Sequence, residues 1–273
     1  MIFKTVTFGE EYPDSSLTLF VHDEDSAPRP AVIVCPGGGY RFNSVREAEP
    51  IAEHYYNAGM NAYLLLYSVK PYANNYTPLK EVALAVKYVR ENAAEHNTAP
   101  NKIVTCGFSA GGHLAASAGI LWNIPEVRDV VGVTDGSAPE GINRPDGMIL
   151  SYPVITTNTN AHRGSIDNLM GSDKYEPAEA EKFSLELHVN KTTPPMFIWH
   201  TVTDTCVPVK NTTLLINKYI DEGLSFEAHL YPFGHHGLSL ATARTAEGNY
   251  DSINPHVATW ADLSVMWIKD TFK

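Results

Sequence analysis

The sequence predicts an α/β fold in which a largely parallel sheet carries helices on both faces. Continuous apolar runs, typical of strands buried on both faces, alternate along the chain with segments whose apolar residues recur at helical spacing. One of these runs leads straight into a serine between glycines and then into a stretch of small residues. That order is typical of a strand, a sharp turn and a tightly packed helix.

The composition fits a single domain that spans residues 1–273. Hydrophobic residues make up 44% of the chain, which is enough for a sizeable core. The sequence contains no internal repeat and no linker-like stretch of low complexity that would divide it. We therefore predict one domain.

The first two strands are predicted to form an antiparallel pair. Residues 2–8 and 16–22 alternate apolar and polar side chains, as half-buried strands do, and a Pro-Asp-Ser-Ser turn separates them. The later strands are short apolar runs that fit a parallel sheet. They are predicted at residues 31–35, 61–67, 103–106, 148–152, 196–200 and 226–231.

Helical spacing predicts helices at residues 46–58, 79–92, 209–222 and 256–273, and directly after the glycine-flanked serine. Residues 123–146 are polar and rich in glycine and proline, so we expect a surface loop there. Residues 154–193 form a long polar insertion with some helix. Its length predicts a small, partial cap over the site rather than a separate domain.

The charge and the cysteines indicate the class of partner and compartment. A formal net charge of −11 disfavours binding to nucleic acid or to an anionic membrane surface. No apolar run approaches the ~20 residues of a membrane span, and the first residues lack the features of a signal peptide. Three scattered cysteines are too few for a disulfide framework or a metal cluster. We expect a cytoplasmic protein that acts on a small molecule without a metal or other cofactor.

The most informative motif is G-x-S-x-G at residues 107–111. The serine of such a motif lies on a strained turn between a strand and a helix, with its hydroxyl exposed at the edge of the sheet. Glycines flank it because side chains on either side of so sharp a turn would collide. We interpret Ser109 as a nucleophile, against the alternative of a glycine-rich turn with an incidental serine.

A serine nucleophile needs a base and an acid that orients the base. The loop after the penultimate strand offers Asp204, although an aspartate there could also cap a helix or a turn. The loop after the last strand contains His235 and His236, and one of them is the base. We prefer His236 because glycine follows it directly, which leaves His235 on the wall of the site. Adjacent histidines point apart and make a poor metal site. We expect His113 and His200 to be structural.

The oxyanion of an acyl-transfer reaction needs hydrogen-bond donors, and each can be worth ~3–4 kcal/mol. The N–H group of Ala110, at the start of a helix, supplies one donor. The three glycines at residues 37–39 follow a predicted strand, so they form either a flexible loop or a backbone that passes close to a ligand with its N–H groups inward. We favour the second interpretation.

The sequence resembles the acetyl-esterase and acetyl-xylan-esterase-like branch of the α/β-hydrolase superfamily of serine esterases, which is related to bacterial hormone-sensitive-lipase-like carboxylesterases. The resemblance runs from about residue 30 to about residue 240. It is carried by the stretches PGGGY (36–40), REAEPIA (46–52), VRENAA (89–94), GFSAGGH (107–113), SYPVI (151–155), AHRGS (161–165), HTVTDTCVP (200–208) and GHHGL (234–238).

This resemblance implies the α/β-hydrolase fold and a set of functional residues. The implied catalytic residues are Ser109, Asp204 and His236, and the implied oxyanion donors are Gly38, Gly39 and Ala110. The lipase-like relatives carry His-Gly-Gly-Gly, whereas this chain has Pro36 in place of the histidine. The backbone donors survive that change, but a side chain that braces the loop in those relatives is absent.

The implied activity is hydrolysis of short-chain, acetyl-type carboxylic esters of sugars, xylo-oligosaccharides or simple alcohols. Because relatives often assemble, the resemblance also raises the expectation of a homo-oligomer. Tyr40, Tyr152 and His235 are expected to contact the substrate, although such aromatic residues also serve as packing. Two alternatives stay open. One is a small peptidase of the prolyl-oligopeptidase type, and the other is a non-catalytic ligand-binding protein on a hydrolase scaffold.

Overall fold

The computed structural model describes residues 1–23 and 27–273, and eight strands within them form one sheet. Numbered along the chain, the strands are β1 (Ile2–Thr7), β2 (Ser16–Val21), β3 (Arg29–Cys35), β4 (Asn61–Leu66), β5 (Thr98–Phe108), β6 (Gly147–Ser151), β7 (Met196–Thr201) and β8 (Phe226–Tyr231). Their order across the sheet is β1-β2-β4-β3-β5-β6-β7-β8.

The pairing of the strands confirms the predicted α/β class. β1 and β2 are the predicted antiparallel pair, and β2 also runs antiparallel to β4. From β4 to β8 every neighbouring pair is parallel. The carboxyl ends of β3, β5, β7 and β8 therefore lie along one edge of the sheet, which is where open α/β sheets bind their ligands.

The described residues contain eight α-helices, of which seven lie between strands and the last follows β8. They are α1 (Glu49–Asn57), α2 (Thr77–Glu91), α3 (Ala110–Ile120), α4 (Pro125–Val130), α5 (Arg163–Met170), α6 (Pro177–Glu181), α7 (Lys210–Asp221) and α8 (Pro255–Thr271). Short 3₁₀ turns occur at Val45–Glu47, Leu185–Leu187 and Tyr250–Ser252. Among these helices of the described chain, none is sufficiently long and apolar to traverse a lipid bilayer.

Two hydrophobic clusters cover the two faces of the sheet. β3 divides between them, because Ile33 belongs to one cluster and Val34 to the other. Residues of α2, α3 and α7 join the cluster of Ile33, and residues of α1 and α8 join that of Val34. Residues 31–35 have no exposed surface, as expected for a central parallel strand.

Two segments differ from the predictions. The helix predicted at residues 46–58 is a 3₁₀ turn followed by the separate helix α1, with non-helical angles at Ala48. Pro50 explains the break, because it has no N–H to continue a helix from residue 46 but fits the first turn of a new one. The surface loop predicted at 123–146 contains the short helix α4, which Pro125 begins and Val127 anchors in the core.

A buried carboxylate on α2 links stability to pH. The side chain of Glu81 has no exposed surface and accepts hydrogen bonds from the N–H (2.7 Å) and the hydroxyl of Ser68. Burial raises the pKa of Glu81 to about 7, although the hydrogen bonds from Ser68 oppose the rise. The folded pKa thus lies above the value of about 4.3 expected in the unfolded chain.

We expect the Glu81→Gln variant to lose part of the pH dependence of stability. Between about pH 4.3 and pH 7 the folded protein binds more protons at Glu81 than the unfolded chain, so stability falls as the pH rises. The wild type should therefore lose up to about 1.4 kcal/mol per pH unit relative to the variant in urea unfolding across this window. Glu91→Gln, at the exposed end of the same helix, is the control and should follow the wild type. Equal slopes for wild type and Glu81→Gln would contradict the assignment.

Candidate active site

The candidate site lies where four strands end at one edge of the sheet. Ser109 follows β5 directly, at the centre of the sheet. The glycine loop at residues 37–39 follows β3, Asp204 lies in the loop after β7, and His236 lies in the loop after β8. The parallel sheet thus brings together residues that are far apart in sequence.

Ser109 occupies a strained turn between β5 and α3. Its backbone angles are φ 54° and ψ −118°, which side-chain-bearing residues rarely adopt. The turn fits only because its neighbours are glycines. A Cβ atom on Gly107 would lie 2.0 Å from the carbonyl oxygen of Gly111, and one on Gly111 would lie 2.2 Å from the carbonyl oxygens of Cys35 and Pro36.

Ser109, His236 and Asp204 form one continuous chain of hydrogen bonds. The Oγ of Ser109 lies 2.8 Å from Nε2 of His236, and Nδ1 of His236 lies 2.6 Å from Oδ2 of Asp204. An ionised carboxylate can only accept hydrogen bonds, so Nδ1 carries the ring proton and Nε2 is free to accept the proton of Ser109. This is the tautomer that general-base activation of a serine requires.

Asp204 is fixed by more contacts than that to His236. Its side chain has no exposed surface, and its Oδ1 accepts the N–H groups of Cys206 and Val207, both at 2.9 Å. Burial by itself raises the pKa of Asp204, but hydrogen bonds from His200 and His236 outweigh it and hold the pKa well below its usual range. Asp204 is therefore ionised throughout the neutral range.

His200, expected to be structural, lies directly behind Asp204. It is fully buried, and its Nε2 lies 3.2 Å from Oδ2 of Asp204 and 3.0 Å from the carbonyl oxygen of Val207. Its Nδ1 lies 2.7 Å from the hydroxyl of Thr212. Since both partners of Nε2 are acceptors, Nε2 carries the proton and donates to the same carboxylate oxygen of Asp204 that His236 contacts.

The backbone of the glycine loop is arranged so that its carbonyl groups are occupied. The carbonyl oxygen of Gly37 accepts from the N–H of Ser44, and that of Gly38 accepts from the N–H of Arg41. The carbonyl oxygen of Gly39 accepts from Nδ2 of Asn168 at 2.8 Å. Within the described residues, the N–H groups of Gly38 and Gly39 have no acceptor. The same holds for the N–H of Ala110, the first residue of α3, as expected at a helix N-terminus.

A cavity of about 460 Å³ opens in front of Ser109. It has the size of a small-molecule site. Phe42 is the one large apolar side chain among the described residues that line it, and most of the others are glycine or polar. The lining comprises Gly38, Gly39, Arg41, Phe42, Ser44, Arg46, Glu47, Ser109, His162, Gly164, Asn168, Cys206, His236 and Gly237.

The insertion at residues 154–193 supplies one wall of this cavity. His162 and Asn168 come from it, and the Nδ1 of His162 lies 2.8 Å from the hydroxyl of Ser165. Burial lowers the pKa of His162, and the neighbouring His236 lowers it further. His162 is therefore neutral at pH 7 and lines the cavity as an uncharged side chain.

Three residues expected to contact substrate do not line the cavity. Tyr40 has no exposed surface, and its hydroxyl lies 2.9 Å from Nδ1 of His113 in the core. Tyr152 is 1% exposed and packs edge-on against the ring of His236, with the centroids 5.0 Å apart. His235 is exposed, but its ring bonds to the carbonyl oxygen of His236 and to Ser252, outside the cavity. The two tyrosines thus serve as packing, the alternative given for them above.

His113 is a satisfied core histidine, as expected. Its Nε2 lies 2.9 Å from the carbonyl oxygen of Phe183, and burial lowers its pKa to about 4. Among the described residues, no group of three or more His, Cys, Asp or Glu side chains is arranged to hold a metal ion.

Several residues of the site were not identified from the sequence, notably Glu47, His162 and Asn168. Glu47 and His162 lie in stretches that resemble the esterase branch, REAEPIA and AHRGS, and that resemblance was the available signal. Asn168 lies outside these stretches. Its role depends on how α5 packs over the glycine loop, which no local pattern reveals.

The sequence profile of the BD-FAE family matches residues 17–219, which include the glycine loop, Ser109 and Asp204. The chain belongs to the BD-FAE family. Endo-1,4-beta-xylanase B of Butyrivibrio fibrisolvens is 37% identical to this BD-FAE chain over 234 residues, and an acetylxylan esterase of Xylanibacter ruminicola is 29% identical over 216 residues. These alignments cover 83% and 78% of this chain, but only 35% and 42% of the relatives.

A solved structure extends the similarity to nearly the whole BD-FAE chain. The acetyl ester-xyloside bifunctional hydrolase from Caldicellulosiruptor lactoaceticus is 33% identical, with a TM-score of 0.81 over 96% of this chain and 90% of that chain. The predicted α/β-hydrolase fold and the predicted acetyl-esterase branch are thereby confirmed. The enzyme class of this branch is that of the carboxylic ester hydrolases.

Proposed function

We propose that this chain is a serine esterase that removes short acyl groups, chiefly acetyl, from carbohydrate alcohols. The observation that carries the proposal is the hydrogen-bonded chain from Ser109 through His236 to the ionised Asp204. Beside it lie three backbone N–H groups without acceptors among the described residues, those of Gly38, Gly39 and Ala110. A nucleophile, a base, an acid and oxyanion donors are the parts that acyl transfer requires.

In the proposed mechanism, Oγ of Ser109 attacks the ester carbonyl carbon while Nε2 of His236 accepts the hydroxyl proton. The negative charge on the carbonyl oxygen is held by the N–H groups of Gly38, Gly39 and Ala110. His236 then gives its proton to the leaving alcohol, and the acyl group remains on Ser109. Water attacks the acyl-enzyme in the same way, which releases the acid and restores the serine.

The lining of the cavity supports short acyl groups and a polar alcohol. A longer acyl chain gains binding energy only where its methylene groups are removed from water, at about 0.8 kcal/mol each. Phe42 is the one large apolar side chain among the described lining residues. His162 and Asn168, which also line the cavity, are polar and suit the hydroxyl groups of a sugar. Two relatives have names that include acetylxylan esterase and acetyl ester-xyloside hydrolase, which supports this alcohol class.

Two of the relatives also have names that include xylanase or xyloside hydrolysis. Glycoside hydrolysis ordinarily uses two carboxyl groups that flank the bond to be cleaved. Among the described residues that line the cavity, Glu47 is the one carboxylate, and both of its oxygens already accept hydrogen bonds. The cavity therefore favours ester over glycosidic bonds.

A panel of substrates tests this proposal. We expect kcat/KM not to rise along the series from acetyl through butyryl to octanoyl p-nitrophenyl esters, since the added methylenes stay in water and gain no binding energy. Acetylated xylo-oligosaccharides should release acetate, whereas a p-nitrophenyl xyloside and aminoacyl amides should not be hydrolysed. A preference for octanoyl esters, or cleavage of the xyloside without release of acetate, would overturn it.

A further inference from the structure

The carboxylate of Glu47 connects the two loops that flank Ser109. Glu47 ends the 3₁₀ turn after the glycine loop and is 4% exposed. Its Oε2 accepts the N–H of Gly37 at 2.9 Å, and its Oε1 accepts the hydroxyl of Tyr152 at 2.6 Å. One buried side chain thus reaches the backbone of the glycine loop and a residue beside the catalytic histidine.

On the first side, Glu47 fixes the orientation of a peptide group. The peptide between Pro36 and Gly37 is held at both ends, because Tyr67 donates its hydroxyl to the carbonyl oxygen of Pro36 at 2.6 Å and Glu47 accepts the N–H. The next carbonyl group, that of Gly37, is held by Ser44. In a planar trans peptide the N–H points opposite to the C=O, so the N–H of residue 38 must face away from Ser44.

On the second side, Glu47 acts on the loop that carries His236. The hydroxyl of Tyr152 donates to Glu47 and accepts the N–H of Ser239 at 2.9 Å, three residues after the histidine. The ring of Tyr152 lies edge-on to the imidazole of His236. The hydroxyl of Ser239 in turn donates to the carbonyl oxygen of Arg46 at 2.6 Å, which closes the connection.

We propose that Glu47 is a positioning residue that holds the oxyanion loop and, through Tyr152, the loop of His236 in a single fixed arrangement. This inference rests on the proposed function, in which Gly38 and Gly39 are oxyanion donors and His236 is the base. Glu47 takes the place of the loop brace that the sequence lacks at Pro36. It acts from the carboxyl side of the loop, after the glycines instead of before them.

A positioning role predicts a specific kinetic result. Glutamine offers one acceptor oxygen for the two donors, so Glu47→Gln loses one of the two hydrogen bonds. The oxyanion donors would then be misplaced in the transition state, whereas the ground-state ester, which binds mainly in the cavity, is little affected. We expect kcat to fall about 10- to 100-fold with KM nearly unchanged. This fall in kcat is somewhat smaller than the one expected when a whole oxyanion donor is removed.

The control is Glu49→Gln, the same change two residues away at an exposed position, which should retain wild-type kcat and KM. Tyr152→Phe is the second variant, because it keeps the ring against His236 and removes only the hydroxyl. We expect it to lower kcat by about tenfold. If Glu47→Gln does not fold, as judged by circular dichroism and thermal unfolding, Tyr152→Phe alone decides the question.

A variant that combines Glu47→Gln with Tyr152→Phe shows whether Glu47 and Tyr152 act through one connection. If they do, the combined loss of kcat should be about that of the larger single variant, and clearly less than the product of the two. Multiplied effects, unchanged kcat in either folded variant, or a rise in KM alone would overturn the role of Glu47. A wild type without esterase activity would instead overturn the proposed function, so the two failures are distinct.

Discussion

Replacing Ser109 with alanine should reduce kcat/KM for p-nitrophenyl acetate by about 10⁴-fold or more. The change removes the one atom that forms the acyl-enzyme and leaves the oxyanion donors and the cavity in place, so only a small residual activity is expected. Steady-state kinetics with the variant at high concentration would measure this residual activity. Ser172→Ala, at an exposed position beyond α5, is the control and should keep full activity.

The same position also tests the strain of the turn. Ser109 has a φ of 54°, which costs a residue with a Cβ atom ~1–3 kcal/mol and costs glycine little. Ser109→Gly and Ser109→Ala both lack the hydroxyl and differ only in the Cβ atom. We expect both to be inactive and the glycine variant to melt roughly 2 °C higher than the alanine variant. A glycine variant that melts below the alanine variant would contradict the claim that the backbone at residue 109 is strained.

Replacing Asp204 with asparagine should reduce kcat by about 10⁴-fold. An amide nitrogen that faces Nδ1 of His236 makes that nitrogen an acceptor and moves the ring proton to Nε2, which then cannot accept the proton of Ser109. The N–H groups of Cys206 and Val207 favour this orientation, because both donate to Oδ1 of Asp204 and require the amide oxygen at that position, which leaves the nitrogen facing His236. Asp221→Asn, at an exposed position at the end of α7, is the control. Activity near the wild-type level would contradict the role of Asp204.

Asp204 should also contribute to acid denaturation. Its folded pKa lies below the value of about 3.9 in the unfolded chain, so its contribution to stability is fully present above that pH. That contribution is lost as the pH falls from about 4 through the folded pKa. In urea unfolding between pH 5 and pH 2, Asp204→Asn should lose less stability than the wild type, and Asp221→Asn should follow the wild type.

Much of the fold could be predicted from the sequence because its signals are local. The apolar run of β8 was predicted with the bounds that the structure has, residues 226–231, and the antiparallel start followed from simple alternation. The prediction of one helix at 46–58 was wrong because it followed the spacing of the apolar residues and gave too little weight to Pro50. The missing N–H of Pro50 separates the 3₁₀ turn from α1.

The site divides in the same way. Ser109, Asp204 and His236 could be chosen because each lies just after a strand, and a parallel sheet brings such positions to one edge. Tyr40 and Tyr152 were misjudged as substrate contacts because the sequence places them near the edge but does not show which way their rings turn. The part that Glu47 plays between the two loops could not be read from the sequence, since its partner Tyr152 lies 105 residues away and the contact exists only in the folded chain.

The central claim is that Ser109 is a nucleophile activated by His236, and covalent trapping tests it most directly. The protein would be incubated with a fluorophosphonate, digested and analysed by mass spectrometry beside Ser109→Ala and His236→Ala. We predict one adduct per chain in the wild type, on the peptide that contains Ser109, no adduct in Ser109→Ala and much slower labelling in His236→Ala. An unlabelled wild type, or an adduct on another residue that persists in Ser109→Ala, would contradict the claim.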